Sequence, residues 1–301
     1  MLDIKDFLEC VEQQQLDVYQ LVVYQDGEKT AEKLWHPVQR RNQYSVTKSF
    51  TSTAVGFALA EGLFTLEDRV VDHFSSDLPQ EVSPLLEEMR LKHLLTMTMG
   101  FREQMLMGIQ RPAMVEKDWV RFVLKGEMAF HPGEKFLYNN AGPHLLGVLI
   151  QRITGQSLIS YLTPRLFQPL GYPPITQYEQ TPDGYTFGAG GLYLDVYELA
   201  RFGLLYLQKG CWNGKQILPL GWAEEVGRSR TYSTGDNTTG YTYGYLFWVG
   251  PNEKWFYANG KYEQLCVIVP DKKAVVTVNC DEKRPGDLVM HALARTILPR
   301  L

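Results

Sequence analysis

A chain of 301 residues with 45% hydrophobic content is long enough to bury a substantial core, as one large domain or as two interleaved lobes. The formal charge of −4 is small and the basic residues are scattered, so we expect neither nucleic acid nor an anionic membrane surface as a partner. No stretch of the sequence approaches the roughly 20 apolar residues that cross a bilayer.

The N-terminal segment is predicted to be a helix. It reads MLDIKDFLECVEQQQ, with acidic residues where a signal peptide has a basic region followed by an apolar one. We therefore expect an amphipathic helix in a cytoplasmic protein.

A β-hairpin and a buried helix are predicted next. Two strand-like runs flank Gln25, Asp26 and Gly27, a turn signal in which glycine accepts the positive φ of a tight hairpin. From Ser45 to Gly62 the apolar residues recur at helical spacing, and Gly62 supplies a C-terminal stop.

The middle of the chain is patterned mainly as helices. Residues from about 63 to 230 form apolar periodic segments separated by loops that carry proline and glycine. In the segment DVYELARFGLLYLQKG, Asp195 and Glu198 have the spacing of a capping box, an N-terminal acceptor answered three residues later by an acid. A helix is therefore expected to begin there.

The C-terminal part has the pattern of a sheet. Past residue 240, aromatic and β-branched residues alternate in short runs between turn residues, which predicts successive antiparallel strands, and the final GDLVMHALARTILPRL returns to helical spacing. We predict one α/β (α+β) domain, an antiparallel sheet flanked by terminal helices. Its α/β lobe comprises residues 1–62 and 240–301, and a mainly helical lobe of residues 63–239 is inserted between them.

The stretch YSVTKSF, residues 44–50, contains a candidate catalytic pair. Ser45 and Lys48 are three positions apart on a helix, so their side chains share one face and the amine can take the hydroxyl proton. Ser-x-x-Lys occurs about once by chance in a chain of this length, and a helix start with a solvated lysine is the alternative. The apolar run around Lys48 favours catalysis, because a desolvated lysine has a lowered pKa.

A second polar element lies in FHPGEKFLYNNAGPHLLGVLI. It places Tyr138 and Asn140 in a loop just before an apolar helix, where side chains can project into a cleft. Tyr138 is a candidate proton relay, and Asn140 is a candidate for binding an amide or ester carbonyl.

Motifs for cofactors and for other hydrolases are not found in the sequence. Gly188-Ala189-Gly190-Gly191 lacks the third glycine of a dinucleotide fingerprint, and there is no Gly-x-Ser-x-Gly or His-Glu-x-x-His. The four cysteines have no metal-ligand spacing and are expected to be buried thiols. We expect no metal and no organic cofactor.

Two apolar groups are predicted to be core, with some members lining a pocket. Flexible methionines can line an adaptable pocket, and aromatic side chains can wall a cleft. The groups are Met97, Met99, Met105 and Met107 with Phe101, and Tyr241, Tyr243, Tyr245, Phe247, Trp248, Trp255 and Tyr257.

Four segments resemble, in serial order, the motif blocks of the penicillin-recognising serine hydrolases. That group includes class C β-lactamases, D-specific peptidases and amidases, carboxylesterases of the β-lactamase fold and 6-aminohexanoate-dimer hydrolases. The resemblance covers most of the chain from about residue 40 to 280. Its segments are SVTKSFTSTAVGFALAEG, LKHLLTMTMGF, PGEKFLYNNAGPHLLGVLIQRITG and GAGGLYLDVYELARFGLLYLQKG.

This resemblance implies a β-lactamase/transpeptidase-like fold and an acyl-enzyme that water releases. It makes Ser45 the acylated nucleophile, Lys48 its base, Tyr138 a partner in proton transfer and Asn140 a substrate-binding amide. The backbone N–H of Ser45, near its helix N-terminus, is then expected to supply one half of an oxyanion hole.

The third family motif is altered. Where the family carries Lys-Thr-Gly or His-x-Gly on a strand, this sequence has Ala258, Asn259 and Gly260, so the cation is missing. The resemblance implies that Lys261, just after the glycine, contributes the N–H that completes the oxyanion hole. Without the cation, esters or amides that lack a carboxylate are the expected substrates.

Glu263 stands where many family members have glycine. An acid on a strand lining the cleft can bind a substrate amine, and a solvated charge at a strand edge is the alternative.

The resulting hypothesis is a serine hydrolase that acts on a small ester, amide or peptide, with its oligomeric state left open. A β-lactamase is the first alternative, although such enzymes usually work outside the cytoplasm and use the basic third motif. A catalytically silent ligand- or peptide-binding protein of the same fold is the second. The intact set of Ser45, Lys48 and Tyr138 argues against the second.

Overall fold

An antiparallel sheet lies between two groups of helices in the computed structural model, which describes residues 1–232 and 241–301. The helices are α1 Lys5–Gln14, α2 Thr47–Ala60, α3 Val70–His73, α4 Pro84–Glu88, α5 Leu91–Leu95, α6 Trp119–Leu124, α7 Ala141–Thr154, α8 Leu158–Leu162, α9 Val196–Leu207, α10 Trp222–Val226 and α11 Leu288–Thr296. The strands are β1 Val18–Gln25, β2 Glu28–Leu34, β3 Arg41–Asn42, β4 Tyr193–Leu194, β5 Cys211–Trp212, β6 Lys215–Gln216, β7 Thr231–Tyr232, β8 Thr242–Tyr243, β9 Trp248–Val249, β10 Phe256–Gly260, β11 Gln264–Val269 and β12 Ala274–Cys280.

The main sheet has eight strands in the order β2-β1-β12-β11-β10-β9-β8-β7, and every neighbouring pair is antiparallel. The predicted sheet of N-terminal hairpin plus C-terminal strands is confirmed. The sheet also includes β7, Thr231–Tyr232, which pairs with β8 and lies before the predicted lobe boundary at about residue 240. Residues 233–240 lie outside the described part of the chain.

The predicted hairpin is present and has the expected turn. Asp26 and Gly27 both have positive φ, 50° and 85°, which matches the twist of the flanking strands in a two-residue connection. Glycine removes the Cβ clash at the second position, so the sequence selects this turn.

Both faces of the central strands are buried. Leu265 and Val267 on β11 pack in a core with α1 and α11, whereas Cys266 and Ile268, which alternate with them, pack in the larger core with the other helices. Side chains alternate across a strand, so a strand covered on both faces is apolar throughout.

Helix α2 is buried around its whole circumference. Its residues from Thr47 to Ala58 are all buried, as the all-round apolar composition predicts. The capping box at the start of α9 is also confirmed: Asp195 accepts from the N–H of Glu198, and Glu198 accepts from the N–H of Asp195. None of the helices within the described ranges has the length and apolarity to cross a bilayer.

Candidate active site

Ser45 lies in a single 3₁₀ turn, Tyr44–Val46, that leads directly into α2. The preceding Tyr44 has a left-handed backbone with φ of 47°, and its N–H donates to Asn42 Oδ1 at 2.8 Å. A non-glycine residue in this conformation is held by its surroundings, and such residues concentrate at functional sites. The turn faces a cleft of about 470 Å³ lined by Ser45, Tyr138, Asn140 and Gly260 among others.

Lys48 contacts Ser45 directly. Its Nζ lies 2.8 Å from Ser45 Oγ and donates to the carbonyl of Ala189 at 2.9 Å. The lysine is only 1% exposed, and this burial lowers its pKa well below the ordinary value, with the nearby charge of Arg111 acting in the same direction. An uncharged Nζ has a lone pair available for the hydroxyl proton.

Tyr138 completes a three-residue contact. Its hydroxyl is hydrogen-bonded to Ser45, and its ring centre lies 4.9 Å from Lys48 Nζ and 5.7 Å from the stacked ring of Trp248. Burial raises the pKa of Tyr138 to about 12, so the side chain is a neutral phenol near neutral pH. The structure therefore brings the predicted serine, lysine and tyrosine together.

Asn140 also lines the cleft, but its free atom differs from the expected one. Its Nδ2 donates to the carbonyl of Leu106 at 2.7 Å, while its buried Oδ1 has no hydrogen-bond partner among the described residues. The side chain thus offers an acceptor, which suits an N–H group of a ligand. The predicted contact with a substrate carbonyl would use the second N–H of Nδ2, because the first is donated to Leu106.

Gly260 ends strand β10 against the segment that leads into the Ser45 turn. A Cβ at this position would lie 2.2 Å from the carbonyl oxygen of Gln43, so only glycine allows the two backbones to approach this closely. Lys261 follows at the cleft, while Ala258, at the position of the missing cation, is buried in the strand. This close approach brings the residue after Gly260 toward Ser45.

A sequence profile of the family described as Beta-lactamase matches residues 5–297, nearly the whole chain. The chain belongs to the beta-lactamase family.

Individual relatives match this chain at low sequence identity and over only part of its length. An uncharacterised protein of Alkalihalophilus pseudofirmus is 28% identical over 193 residues, which cover 58% of this chain and 50% of the relative. The chain thus matches only about half of that relative's length.

Solved structures share the beta-lactamase fold at low identity. A protein described as a 6-aminohexanoate-dimer hydrolase from Bacillus anthracis superposes with a TM-score of 0.78 at 20% identity, covering 97% of this chain and 80% of the other. EstCE1, described as a hydrolase with promiscuous acyltransferase activity, superposes with a TM-score of 0.76 at 14% identity. The superposition covers 96% of this chain and 97% of EstCE1. These likenesses establish the fold.

Glu263 departs from both interpretations made from the sequence. It is 6% exposed, so it is not a solvated charge at a strand edge. Its carboxylate accepts from the backbone N–H groups of Val289 at 3.0 Å and Met290 at 2.8 Å, in the first turn of α11. Although Glu263 borders the cleft, its two oxygens are engaged by a helix N-terminus. Burial raises the pKa of Glu263, and these two N–H groups oppose that shift.

The sequence interpretation missed two cleft residues, Arg111 and Glu179, and left open which apolar residues line the cleft. Arg111 and Glu179 form an ion pair beside the cleft, with Nη1 and Oε1 2.6 Å apart, although 68 positions separate them. No local motif signals that pair. Trp248 and Met107 are the members of the predicted apolar groups that line the cleft, whereas Met97, Met99 and Phe101 are buried core.

Proposed function

We propose that this protein is a serine hydrolase that forms an acyl-enzyme on a small ester or amide. The observation that carries the proposal is the 2.8 Å contact between Lys48 Nζ and Ser45 Oγ, made by a lysine whose pKa burial lowers well below its ordinary value. The hydrolases of the same fold support the general reaction class.

The proposed acylation moves the Ser45 proton to Lys48 Nζ as Oγ bonds to the substrate carbonyl carbon. The carbonyl electron pair then shifts to its oxygen, which the N–H groups of Ser45 and Lys261 stabilise. When the intermediate collapses, the bond to the leaving group breaks, and the leaving group takes a proton through Tyr138. Water repeats the sequence on the acyl-enzyme, returning the proton to Ser45 and releasing the acid.

The altered third motif distinguishes this proposal from a β-lactamase. Ala258 supplies no cation on strand β10, so the carboxylate that penicillins carry has no partner at the usual place. Turnover of nitrocefin at rates comparable with simple esters would favour the β-lactamase alternative.

The test is the intact mass of the protein after exposure to a fluorophosphonate probe. We expect one adduct on the wild type and none on Ser45→Ala. Ser52→Ala is the matched control, because Ser52 is buried in the same helix and its Oγ has no hydrogen-bond partner within the described residues. No adduct on folded wild-type protein would contradict the proposal and favour the silent binding protein.

A further inference from the structure

Arg111 is held rigidly beside the cleft. Its guanidinium lies 4.5 Å from the centre of the Phe187 ring, and its Nη1 donates to Glu179 Oε1 at 2.6 Å. The side chain remains 21% exposed and borders the same cleft as Ser45. An aromatic face on one side and a carboxylate at one end fix the plane of the guanidinium.

One edge of this guanidinium is unused. The Nε atom of Arg111 is buried without a hydrogen-bond partner, and Nη2 makes no hydrogen bond to any residue in the described ranges. Nε and Nη2 point in the same direction and form the edge through which arginine donates two parallel hydrogen bonds to a carboxylate. A buried N–H without a partner is costly, so this edge is suited to a ligand.

Arg111 and Ser45 border the same cleft, and Phe187 and Gly190 connect their two sides. A Cβ placed on Gly190 would lie 3.6 Å from the Phe187 ring and 3.8 Å from the carbonyl oxygen of Tyr44, the residue before Ser45. Gly190 therefore lies against both the Phe187 ring, on which Arg111 packs, and the turn that carries Ser45. The charge of Arg111 also lowers the pKa of Lys48, the residue that contacts Ser45.

Among the described residues, three other cations border the cleft, and two of them are paired; one is Lys283, whose Nζ lies 3.0 Å from Asp281 Oδ2. Arg284 donates to Glu282 and to the backbone carbonyls of Gln14 and Gln15. Lys261 lies over the ring of Tyr262, with Nζ 4.7 Å from its centre.

We propose that Arg111 binds a carboxylate carried by the substrate, so that acidic esters or amides are preferred over neutral ones. This inference rests on the proposed function. It also revises the expectation drawn from the missing cation at Ala258: the carboxylate partner is supplied by the loop between α5 and α6 instead of by strand β10. Arg111 is then a specificity-determining residue.

The experiment compares kcat/KM for matched esters. One pair carries the charge on the acyl side: the mono-p-nitrophenyl ester of adipic acid and p-nitrophenyl hexanoate. The other carries it on the leaving group: carboxyphenyl hexanoate and phenyl hexanoate. We expect the wild type to prefer the acidic member of one pair, and this ratio to fall roughly tenfold to a hundredfold in Arg111→Gln.

Two further variants sharpen the result. Arg111→Lys keeps the positive charge but loses the two parallel N–H donors of the guanidinium, so the ratio of kcat/KM values is expected to fall in this variant as well. Arg102→Gln removes an exposed arginine that pairs with Glu127 away from the cleft, and it should leave the ratio unchanged. Because each comparison is the ratio of kcat/KM for an acidic ester to that for its neutral partner, a change in the reactivity of Lys48 that affects both esters equally cancels.

Failure of this inference is separable from failure of the proposed function. Turnover of neutral esters without an acidic preference, or an equal loss on both members of a pair, would overturn the role of Arg111 while keeping the hydrolase. If no ester is turned over, calorimetry on Ser45→Ala with monomethyl adipate and with methyl hexanoate decides. The inference is supported if Ser45→Ala binds monomethyl adipate more tightly than methyl hexanoate and the double variant with Arg111→Gln loses this difference. Equal affinity of Ser45→Ala for the two compounds overturns it.

Discussion

Lys48 shows how one residue acquires a chemical role from its surroundings. A lysine on a solvated helix keeps its charge near neutral pH, but Lys48 is enclosed by α2 and its neighbours and receives no carboxylate partner within the described residues. Its contacts are the neutral Oγ of Ser45 and the carbonyl of Ala189. Neither contact offsets the cost of burying the ammonium form, so the amine is favoured.

The first prediction concerns the pH dependence of ester hydrolysis. The base form of Lys48 is the active one and its pKa lies well below 10.5, so kcat/KM should rise with pH through that lowered pKa and then level off. Arg111→Gln removes a positive charge that lowers this pKa, so the rising limb should move to higher pH. Arg111→Lys keeps the charge and should move it less.

Lys48→Ala should lower kcat/KM by about a hundredfold to ten-thousandfold, the usual contribution of a general base. Profiles measured from mildly acidic to alkaline pH provide the check. Lys48 would lose the proposed role of base if kcat/KM of the wild type did not change with pH, or if Arg111→Gln did not shift the pH at which kcat/KM rises.

At the scale of elements, Glu263 connects the β10–β11 hairpin to α11. The carboxylate accepts from Val289 and Met290, two N–H groups that have no partner within their own helix. The N-cap position of α11 is Asp287, whose side chain makes no capping hydrogen bond. Glu263 therefore supplies from another element the cap that the helix lacks locally.

The second prediction is that Glu263→Gln destabilises the protein without abolishing the Ser45 adduct. The neutral amide replaces a carboxylate at a helix N-terminus, so we expect the free energy of unfolding to fall by about 1 kcal/mol. Glu9→Gln, an exposed acid on α1, is the control and should change it by less than about 0.5 kcal/mol. Urea denaturation measures both changes.

The opposite outcome has a clear meaning. Unchanged stability together with selective loss of turnover of an amine-bearing ester would restore the substrate-amine interpretation of Glu263.

At the scale of the whole molecule, a buried histidine connects stability to pH. His144 on α7 is fully buried, with ring centres 6.1 Å from Trp119 and 5.5 Å from Phe187. Neither of its ring nitrogens has a hydrogen-bond partner in the described part of the chain. Burial lowers its pKa from 6.5 to about 4, with the Asp183 charge opposing the shift and the Arg152 and Arg111 charges assisting it.

The third prediction is a loss of stability in mild acid. Between pH 6.5 and about 4 the unfolded chain protonates His144 and the folded chain does not, so the unfolded state binds more protons. Stability is therefore present above pH 6.5 and decreases as the pH falls, by at most about 3 kcal/mol from this residue.

Urea denaturation at several pH values measures this slope. In His144→Leu, the dependence of the unfolding free energy on pH should correspond to about one proton fewer taken up on unfolding in that window. His291→Leu, at an exposed position, serves as the control. Equal slopes in the wild type and His144→Leu would contradict the prediction.

The sequence by itself determined the elements whose signals are local. Apolar periodicity predicted α2, α7 and α9, and the Asp26-Gly27 turn predicted the first hairpin, because these patterns depend on neighbouring residues. The Ser45–Lys48 contact belongs to the same class, since one helical turn brings the two side chains together. Family motifs added Tyr138 and Asn140, which lie far from Ser45 in the chain.

Only the tertiary structure decided contacts between residues that are distant in sequence and share no motif. Arg111 meets Glu179, and Glu263 meets α11, through the packing of separate loops. It also decided which atom of Asn140 is free, because the competing acceptor is Leu106, 34 positions away. Local propensity sets which elements form, whereas burial and close packing set the partner, charge and free hydrogen-bonding edge of each polar side chain.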